Sequence, residues 1–255
     1  MIDLHTHILT GLDDGAPNND ISLGMAEMAA RDGTTQLVAT PHMMKGNFDI
    51  SKKTILDAVD KFNELLRQNS IDLIVRPGAE YYLEPDLLEQ FAVDDVLTIN
   101  NSSPYILVEL PSSFVPDYTA KILYELQLLG LTPIIAHPER NAGFARNPKL
   151  LKSFCERGCL SQITSSSITG LFGRKIKKVA LDFIASGLVH MIASDAHSNN
   201  GRAPILSGAA IEVERRWGRK LVCTLFLDNP ERIICGVSVK PPEILTGRRL
   251  SWLIK

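Results

Sequence analysis

The first residues of the chain place two histidines two positions apart, in His5-Thr6-His7. Residues 1–8 are rich in apolar side chains, and we predict that they form the first β-strand. Side chains alternate between the two faces of a strand, so both imidazoles should point the same way, about 7 Å apart. Such a pair can bind one metal ion, or it can be satisfied by hydrogen bonds inside a buried strand. The opposite face should pack under helices, and we expect it to carry Ile2, Leu4, Thr6 and Ile8.

Further imidazoles and carboxylates follow predicted strands along the chain. The additional candidate ligands are Asp14, His42, Glu80, Glu109, His137, Asp195 and His197. Burying such groups is costly unless they are paired or bound to metal, so their convergence would favour a metal site. Individually, Asp14 could belong to the turn Asp13-Asp14-Gly15, and Glu109 could cap a helix. The remaining histidine, His190, lies inside a predicted strand, and we expect it in the core or behind the ligands.

Strands and helices alternate along the whole chain. Predicted strands cover residues 1–8, 36–39, 73–75, 105–108, 133–136, 160–163 and 189–193. Predicted helices cover residues 21–31, 51–68, 85–91, 117–129, 147–157, 175–186, 205–217 and 221–227, with a turn after Asn229-Pro230. This order predicts a parallel sheet, and about seven units predict a distorted TIM-like (β/α)7 barrel in one domain over residues 1–255. The active site of such a barrel lies at the C-terminal ends of its strands.

The chemistry of the candidate ligands favours a multinuclear site. Nine imidazoles and carboxylates are too many for one ion and suit two or three. The absence of thiolates favours manganese, iron or zinc over copper(I). Paired ions of this kind suit phosphoester hydrolysis. Arg140 and Arg202 are expected to act in catalysis by binding the phosphate, although either could instead form a surface ion pair.

Composition limits the remaining possibilities. Among 255 residues, 27 are Lys or Arg and 29 are Asp or Glu, so the net charge of −2 predicts no nucleic-acid partner. No apolar run approaches the roughly 18 residues of a membrane span, so we expect no membrane insertion. The cysteines match no zinc spacing and no Cys-x5-Arg phosphatase loop, which indicates buried thiols in a reducing compartment, the cytoplasm. They are Cys155, Cys159, Cys223 and Cys235.

Taken together, these motifs resemble those of the PHP (polymerase and histidinol phosphatase) superfamily. Within it, they are most similar to the manganese-dependent protein-tyrosine phosphatases of bacterial capsule and exopolysaccharide loci, the CpsB/CapC type. The matching segments lie in order between residues 1 and 202, and the last fifty residues add little. They are residues 1–9, Asp13-Asp14-Gly15, Thr40-Pro41-His42, Gly78-Ala79-Glu80, Val108-Glu109, His137-Pro138-Glu139-Arg140, Ser194-Asp195-Ala196-His197 and Gly201-Arg202.

The resemblance implies a site of two to three ions, with manganese favoured and iron or zinc as alternatives. The implied ligands of the first ion are His5, His7, Glu80 and Asp195. Glu80 would bridge to a second ion, shared with Glu109 and His137. The implied ligands of the third ion are Asp14, His42 and His197. Arg140 and Arg202 would bind the phosphate. Met43 departs from the family pattern, because many relatives carry a second histidine there.

The resemblance also implies the reaction and the partner. A metal-bridging hydroxide would attack phosphotyrosine on a protein, and the implied substrate is the tyrosine-rich tail of a bacterial tyrosine kinase that controls polysaccharide synthesis. The residues by themselves indicate only a phosphoester. Two alternatives stay open: a small-molecule phosphomonoesterase such as a histidinol phosphatase, and a non-catalytic metal-binding regulator of a kinase complex. The short loop after the first strand, which supplies Asp14 rather than a histidine, favours the capsule-locus type.

Overall fold

A computed structural model describes residues 1–91 and 96–239 of the chain, without the side chain of Gln90. Within these ranges the strands pair in parallel in two sheets, with the orders β1-β2-β4 and β3-β5-β6-β7-β8-β9. The strands are β1 (Ile2–Thr6), β2 (Gln36–Ala39), β3 (His42–Met43), β4 (Ile74–Pro77), β5 (Glu80–Tyr82), β6 (Tyr105–Glu109), β7 (Thr132–Ala136), β8 (Leu160–Thr164) and β9 (Met191–Ala193).

The two sheets form one barrel with seven strand positions. A two-residue break at Thr40-Pro41 separates β2 from β3, and a break at Gly78-Ala79 separates β4 from β5. Proline has no backbone N–H and glycine weakens a strand, so both interrupt the pairing. The last strand position meets the first: Asp195 N donates to His5 O at 2.9 Å, and His7 N donates to Ala196 O at 2.8 Å. The predicted (β/α)7-type barrel is therefore confirmed, with two of its strands split.

Helices surround this barrel. They are α1 (Asn19–Arg31), α2 (Lys52–Gln68), α3 (Leu87–Gln90), α4 (Thr119–Leu128), α5 (Ala142–Arg146), α6 (Pro148–Glu156), α7 (Ser165–Thr169), α8 (Arg174–Ala185), α9 (Ser207–Trp217), α10 (Arg219–Cys223) and α11 (Asn229–Ile234). Short 3-10 turns cover Ile99–Asn101 and Pro138–Arg140, and a π-helical turn covers Thr224–Asp228. The turn predicted after Asn229-Pro230 is wrong, because proline is tolerated in the first turn of a helix. None of the described helices has the length and hydropathy needed to span a membrane.

The first strand is irregular, and this corrects one expectation about its faces. Its pairing with β2 shifts register between Asp3 and Thr6. Ile2 and Leu4 consequently join the interior cluster, which also includes Leu107, Ile134 and Met191, whereas Ile8 joins the outer core between strands and helices. The prediction that Ile2, Leu4, Thr6 and Ile8 share one face is therefore wrong. A bulge of this kind redirects the following side chains, here His5 and His7.

One prediction extends beyond the described ranges. A single domain over residues 1–255 includes residues 92–95 and 240–255, which lie outside the described residues, so it stays a prediction. Four short elements were not predicted, because they are too short to show a hydrophobic period. They are β3, β5, α5 and α7.

Candidate metal centre

The structure brings all nine predicted ligand residues together at the C-terminal end of the barrel. Each has a ring nitrogen or carboxylate oxygen within 3.6 Å of such an atom on another member of the set. The two Arg residues predicted to act with them line the same cavity, of about 290 Å³. The nine residues are His5, His7, Asp14, His42, Glu80, Glu109, His137, Asp195 and His197.

One group of ligand atoms surrounds the two histidines of the first strand. The Nε2 atoms of His5 and His7 lie 3.1 Å apart. Glu80 Oε2 lies 3.2 Å from the first and 3.4 Å from the second. Asp195 Oδ1 approaches the same two nitrogens at 3.4 and 3.5 Å. Four side chains thus direct one donor atom each at one small volume, which is the arrangement predicted for the first ion.

Glu80 connects this group to a second one through its other oxygen. Its Oε1 lies 3.0 Å from His137 Nε2, and Glu109 Oε1 lies 3.6 Å from the same nitrogen. His42 Nδ1 also faces this group, at 3.0 Å from Glu80 Oε2 and 3.7 Å from Glu109 Oε2. A carboxylate with both oxygens facing ligand groups has the geometry of a bridging ligand.

The third group lies towards the loop after β1. Asp14 Oδ1 is 3.5 Å from His42 Nε2 and 3.4 Å from His197 Nε2. His7 is close enough to share this position, since its ring centroid lies 3.8 Å from that of His197. His42 therefore presents one nitrogen to the second group and the other to the third. The three groups are contiguous, which permits a multinuclear centre.

The hydrogen-bond pattern around His5 and His7 favours a proton or a metal ion between their Nε2 atoms. His7 Nδ1 lies 2.6 Å from Asp13 Oδ2, and His5 Nδ1 lies 2.9 Å from Gln162 Oε1. Both acceptors are oxygens, so each neutral ring carries its proton on Nδ1 and presents an Nε2 lone pair to its neighbours. Lone pairs and carboxylates then face one another in a buried site, which is repulsive unless a proton or metal ion lies between them.

Unpaired polar atoms support the same conclusion. His42 Nδ1 and Glu80 Oε2 lie 3.0 Å apart, yet both are buried without a hydrogen bond. Burying such atoms without a partner costs about 1–3 kcal/mol each. A shared divalent cation would satisfy both. The donor set of imidazoles and carboxylates thus fits a metal ion of the manganese, iron or zinc type.

The shifted pKa values of several site residues are also compatible with binding of a cation. Burial, together with the negative charge of Glu80, raises the pKa of Glu109 to about 7. Burial and the Arg140 charge lower the pKa of His137 to about 4, which keeps this imidazole neutral and able to bind metal. Burial opposes protonation of His7, but its carboxylate neighbours outweigh burial and raise its pKa well above the ordinary value. The same field would attract a metal ion.

Asp13 is a site residue that the sequence analysis treated only as turn chemistry. Its Oδ2 accepts hydrogen bonds from His7 Nδ1 and from His42 N, the latter at 2.9 Å, and its Oδ1 accepts one from Gly15 N at 2.9 Å. A carboxylate behind a ligand imidazole fixes the ring and its tautomer. Gly15 permits this close packing, because a Cβ there would lie 2.1 Å from His7 O. The paired aspartates before a glycine were the available signal.

Gln162 was missed as well, and no sequence signal could have found it. It lies 157 positions from His5 and contacts it only because β8 and β1 meet across the barrel. His190 is buried, and its Nδ1 accepts a hydrogen bond from Ser161 N at 3.2 Å. Its predicted place in the core is confirmed.

Arg140 and Arg202 converge on one oxygen of Asp195. Their Nη2 atoms lie 2.6 and 2.7 Å from Asp195 Oδ2, while Oδ1 of the same carboxylate faces His5 and His7. The alternative of a surface ion pair does not apply, since Asp195 is buried and the arginine side chains are only 20% and 32% exposed. The two guanidinium groups thus border the ligand groups, and both arginines line the cavity.

Two site residues adopt an uncommon backbone conformation. His137 has φ of 31° and Asp195 has φ of 52°, both in the left-handed region. For residues other than glycine, this conformation costs about 1–3 kcal/mol and persists where the surrounding structure imposes it, commonly at functional sites. His137 directly follows β7, and Asp195 lies two residues after the end of β9. The local strain is thus located where the predicted ligands are presented.

Comparison with known proteins agrees with this geometry. The chain is 36% identical over 252 residues to tyrosine-protein phosphatase YwqE of Bacillus subtilis, covering 98% of each chain. It is 33% identical over 241 residues to tyrosine-protein phosphatase CpsB of Streptococcus pneumoniae, covering 92% of this chain and 98% of the relative. A crystal structure from a study of these two proteins, described as unique metal-dependent tyrosine phosphatases, superimposes with a TM-score of 0.90 at 36% identity. It covers 96% of this chain and 100% of the other.

The family profile extends over nearly all of the described residues. It is described as capsular polysaccharide synthesis, CpsB/CapC, and it matches residues 1–235. This range includes all nine predicted ligands, both arginines and the positioning residues Asp13 and Gln162. The chain therefore belongs to the CpsB/CapC family, as its motifs predicted.

Proposed function

We propose that this chain is a metal-dependent protein-tyrosine phosphatase that hydrolyses phosphotyrosine on a protein substrate. The observation that carries the proposal is the shared carboxylate Asp195, which joins a group of metal-binding side chains to two arginines in one cavity. The activity named for YwqE and CpsB, which align with almost the whole chain, supports the same reaction.

The metal is proposed to be manganese, with two to three ions per chain held by the nine ligand residues. When bound, these ions would activate a water molecule and offset the negative charge of the phosphoryl group. Iron and zinc share the preference for imidazole and carboxylate ligands, so they remain alternatives. Magnesium takes imidazole ligands poorly and is expected to be a weaker activator.

The chain's own residues would bind and orient the phosphate. The guanidinium groups of Arg140 and Arg202 are planar donors suited to phosphate oxygens, and Asp195 holds both beside the ligand groups. Their donors are fixed before substrate arrives, which is the condition for effective electrostatic stabilisation of a transition state. A tyrosyl oxygen leaves readily, because the pKa of its conjugate acid is about 10, so the site needs no strong general acid.

The partner is proposed to be a bacterial tyrosine kinase of a polysaccharide-synthesis locus, acting with this protein in the cytoplasm. The family description, capsular polysaccharide synthesis, supports this pathway. A small-molecule phosphatase such as a histidinol phosphatase and a non-catalytic metal-binding regulator are the competing functions. The complete set of ligands and both arginines favour catalysis over the regulator.

One substrate comparison tests the proposal. The kcat/KM values for a phosphotyrosine peptide, the matched phosphoserine peptide and histidinol phosphate should be measured on one manganese-loaded sample of known metal content. We expect the phosphotyrosine peptide to exceed both others by at least tenfold, about 1.4 kcal/mol of differential transition-state binding. A tenfold advantage for histidinol phosphate would assign the protein to the small-molecule class. No hydrolysis of any substrate by the fully loaded protein would favour the regulator.

A further inference from the structure

Phe172 is a large aromatic residue with an unusual environment. It lies between α7 and α8 and is half-buried. Among the described residues, it belongs to neither hydrophobic cluster, nor to the apolar side chains packed against them. Its recorded ring contact is with Arg140, whose Cζ atom lies 5.5 Å from the ring centroid. Core packing therefore does not explain why an aromatic side chain stands here.

The loop that carries Phe172 turns tightly at both ends. Gly170 has φ of 97° and ends α7, and Gly173 has φ of 90° and precedes α8. Both values fall in the region that favours glycine, so each end of the two-residue segment Leu171-Phe172 makes a tight turn. The turns present Phe172 between two helices that follow β8, at the same end of the barrel as the ligands.

Arg140 is held from two directions. Its Nη2 atom pairs with Asp195 Oδ2 at 2.6 Å, and its Cζ atom lies over the ring of Phe172, 5.5 Å from the centroid. An arginine side chain has several rotatable bonds, and fixing it costs conformational entropy when it binds a ligand. A cation over an aromatic face is favourable, and more so when partly desolvated. Contacts on two sides restrict the guanidinium group before phosphate arrives.

We infer that Phe172 is a positioning residue that holds the guanidinium group of Arg140 in the orientation that binds phosphate. The inference rests on the proposed function, because it takes Arg140 as a phosphate-binding residue. Phe172 is assigned no contact with substrate and no role in metal binding. Its effect should therefore disappear when Arg140 is removed.

The test measures the dissociation constant of inorganic phosphate on manganese-loaded protein by calorimetry, with manganese content determined on each sample. Phe172→Ala should weaken phosphate binding by about five- to tenfold, the scale of one cation–π contact. Its manganese content should equal that of the unsubstituted protein. Phe172→Tyr keeps the aromatic face and should restore binding to within about twofold, whereas Phe172→Leu keeps apolar bulk alone and should not.

A double-mutant cycle separates positioning from substrate contact. In an Arg140→Ala background, Phe172→Ala should change phosphate affinity by less than about twofold, because residues acting through one group are not additive. Phe114→Ala is the matched control, since Phe114 is 53% exposed on another loop and has no recorded ring contact with an arginine among the described residues. This control should leave phosphate affinity unchanged.

The outcomes distinguish this inference from the proposed function. If the unsubstituted, manganese-loaded protein neither binds phosphate nor hydrolyses para-nitrophenyl phosphate, the proposed function fails. If it does both and Phe172→Ala binds phosphate with unchanged affinity, the inference is overturned. An equal loss from Phe172→Ala with and without Arg140 would also overturn it, because Phe172 would then act independently of that arginine.

Discussion

From the hydrogen bonds of Asp13, we predict that Asp13→Asn lowers the affinity of the site for manganese. Its Oδ2 accepts from both His7 Nδ1 and His42 N, and its Oδ1 accepts from Gly15 N. An asparagine has only one acceptor oxygen. In either orientation of the amide, Asp13→Asn sets an NH2 group against at least one backbone or ring N–H, and it removes the negative charge beside His7.

The size of the effect follows from this geometry. Carboxylates behind ligand imidazoles typically contribute 10- to 100-fold to metal affinity, about 1.4–2.7 kcal/mol. We expect Asp13→Asn to fall in this range, because the contact to His7 is short and charge-assisted. At saturating manganese the ligands are reassembled, so kcat should recover to within about threefold of the original value.

The assay is manganese competition with a chelator of known affinity, followed by kcat at saturating metal. Asp20→Asn is the matched control, since Asp20 is exposed in the first turn of α1 and forms no recorded ion pair among the described residues. The control should keep manganese affinity unchanged. Manganese affinity within twofold of the original for Asp13→Asn would refute the argument that Asp13 fixes His7 and His42.

Three further predictions concern metal removal, the arginines and pH. Chelation should abolish hydrolysis and manganese should restore it better than magnesium; activity that survives complete chelation, checked by elemental analysis, would contradict a metal mechanism. Arg202→Ala should keep its metal content and lose about 2–4 kcal/mol of transition-state stabilisation in kcat/KM, so full activity would remove Arg202 from the phosphate site. Burial lowers the pKa of His190 to about 4. The unfolded chain therefore binds more protons than the folded chain between about pH 6.5 and 4, and stability should fall through that window on acidification. His190→Asn should remove roughly 3 kcal/mol of the change in unfolding free energy across this window, measured by denaturant unfolding at several pH values, and an unchanged pH dependence would contradict it.

The barrel and the convergence of the predicted ligands could be predicted from the sequence, because both depend on the order of strands and helices along the chain. Parallel strands carry their C-terminal ends to one edge, so a histidine or carboxylate after each strand is brought near the others wherever the strands lie in the ring. This is why Glu109 at the end of β6 and His137 after β7 could be placed from spacing alone. The two-residue breaks before β3 and β5 leave His42 and Glu80 paired in register, so these two predicted ligands lie side by side.

What could not be predicted depends on contacts across the chain or on irregular backbone. Gln162 contacts His5 only in the folded barrel, and Phe172 lies over Arg140 through a loop that no hydrophobic period describes. Beyond the register shift in β1, Ile8 lies in the outer core and not with Ile2 and Leu4 in the barrel interior, against strict alternation. A period-2 pattern assumes a regular strand, and a bulge breaks that assumption at the site itself.

The hydrogen bonds that close the barrel between its last and first strand positions affect how readily these strands separate. The backbone hydrogen bonds that join the last strand position to the first come from His7 and Asp195, two of the predicted ligands. Separating these strands would also pull apart the side chains that are proposed to hold an ion. Ligands that bind only the closed form stabilise it by mass action. Amide hydrogen exchange at His7 and Asp195 should therefore slow when manganese is added, while exchange at the C-terminal end of α2 stays unchanged.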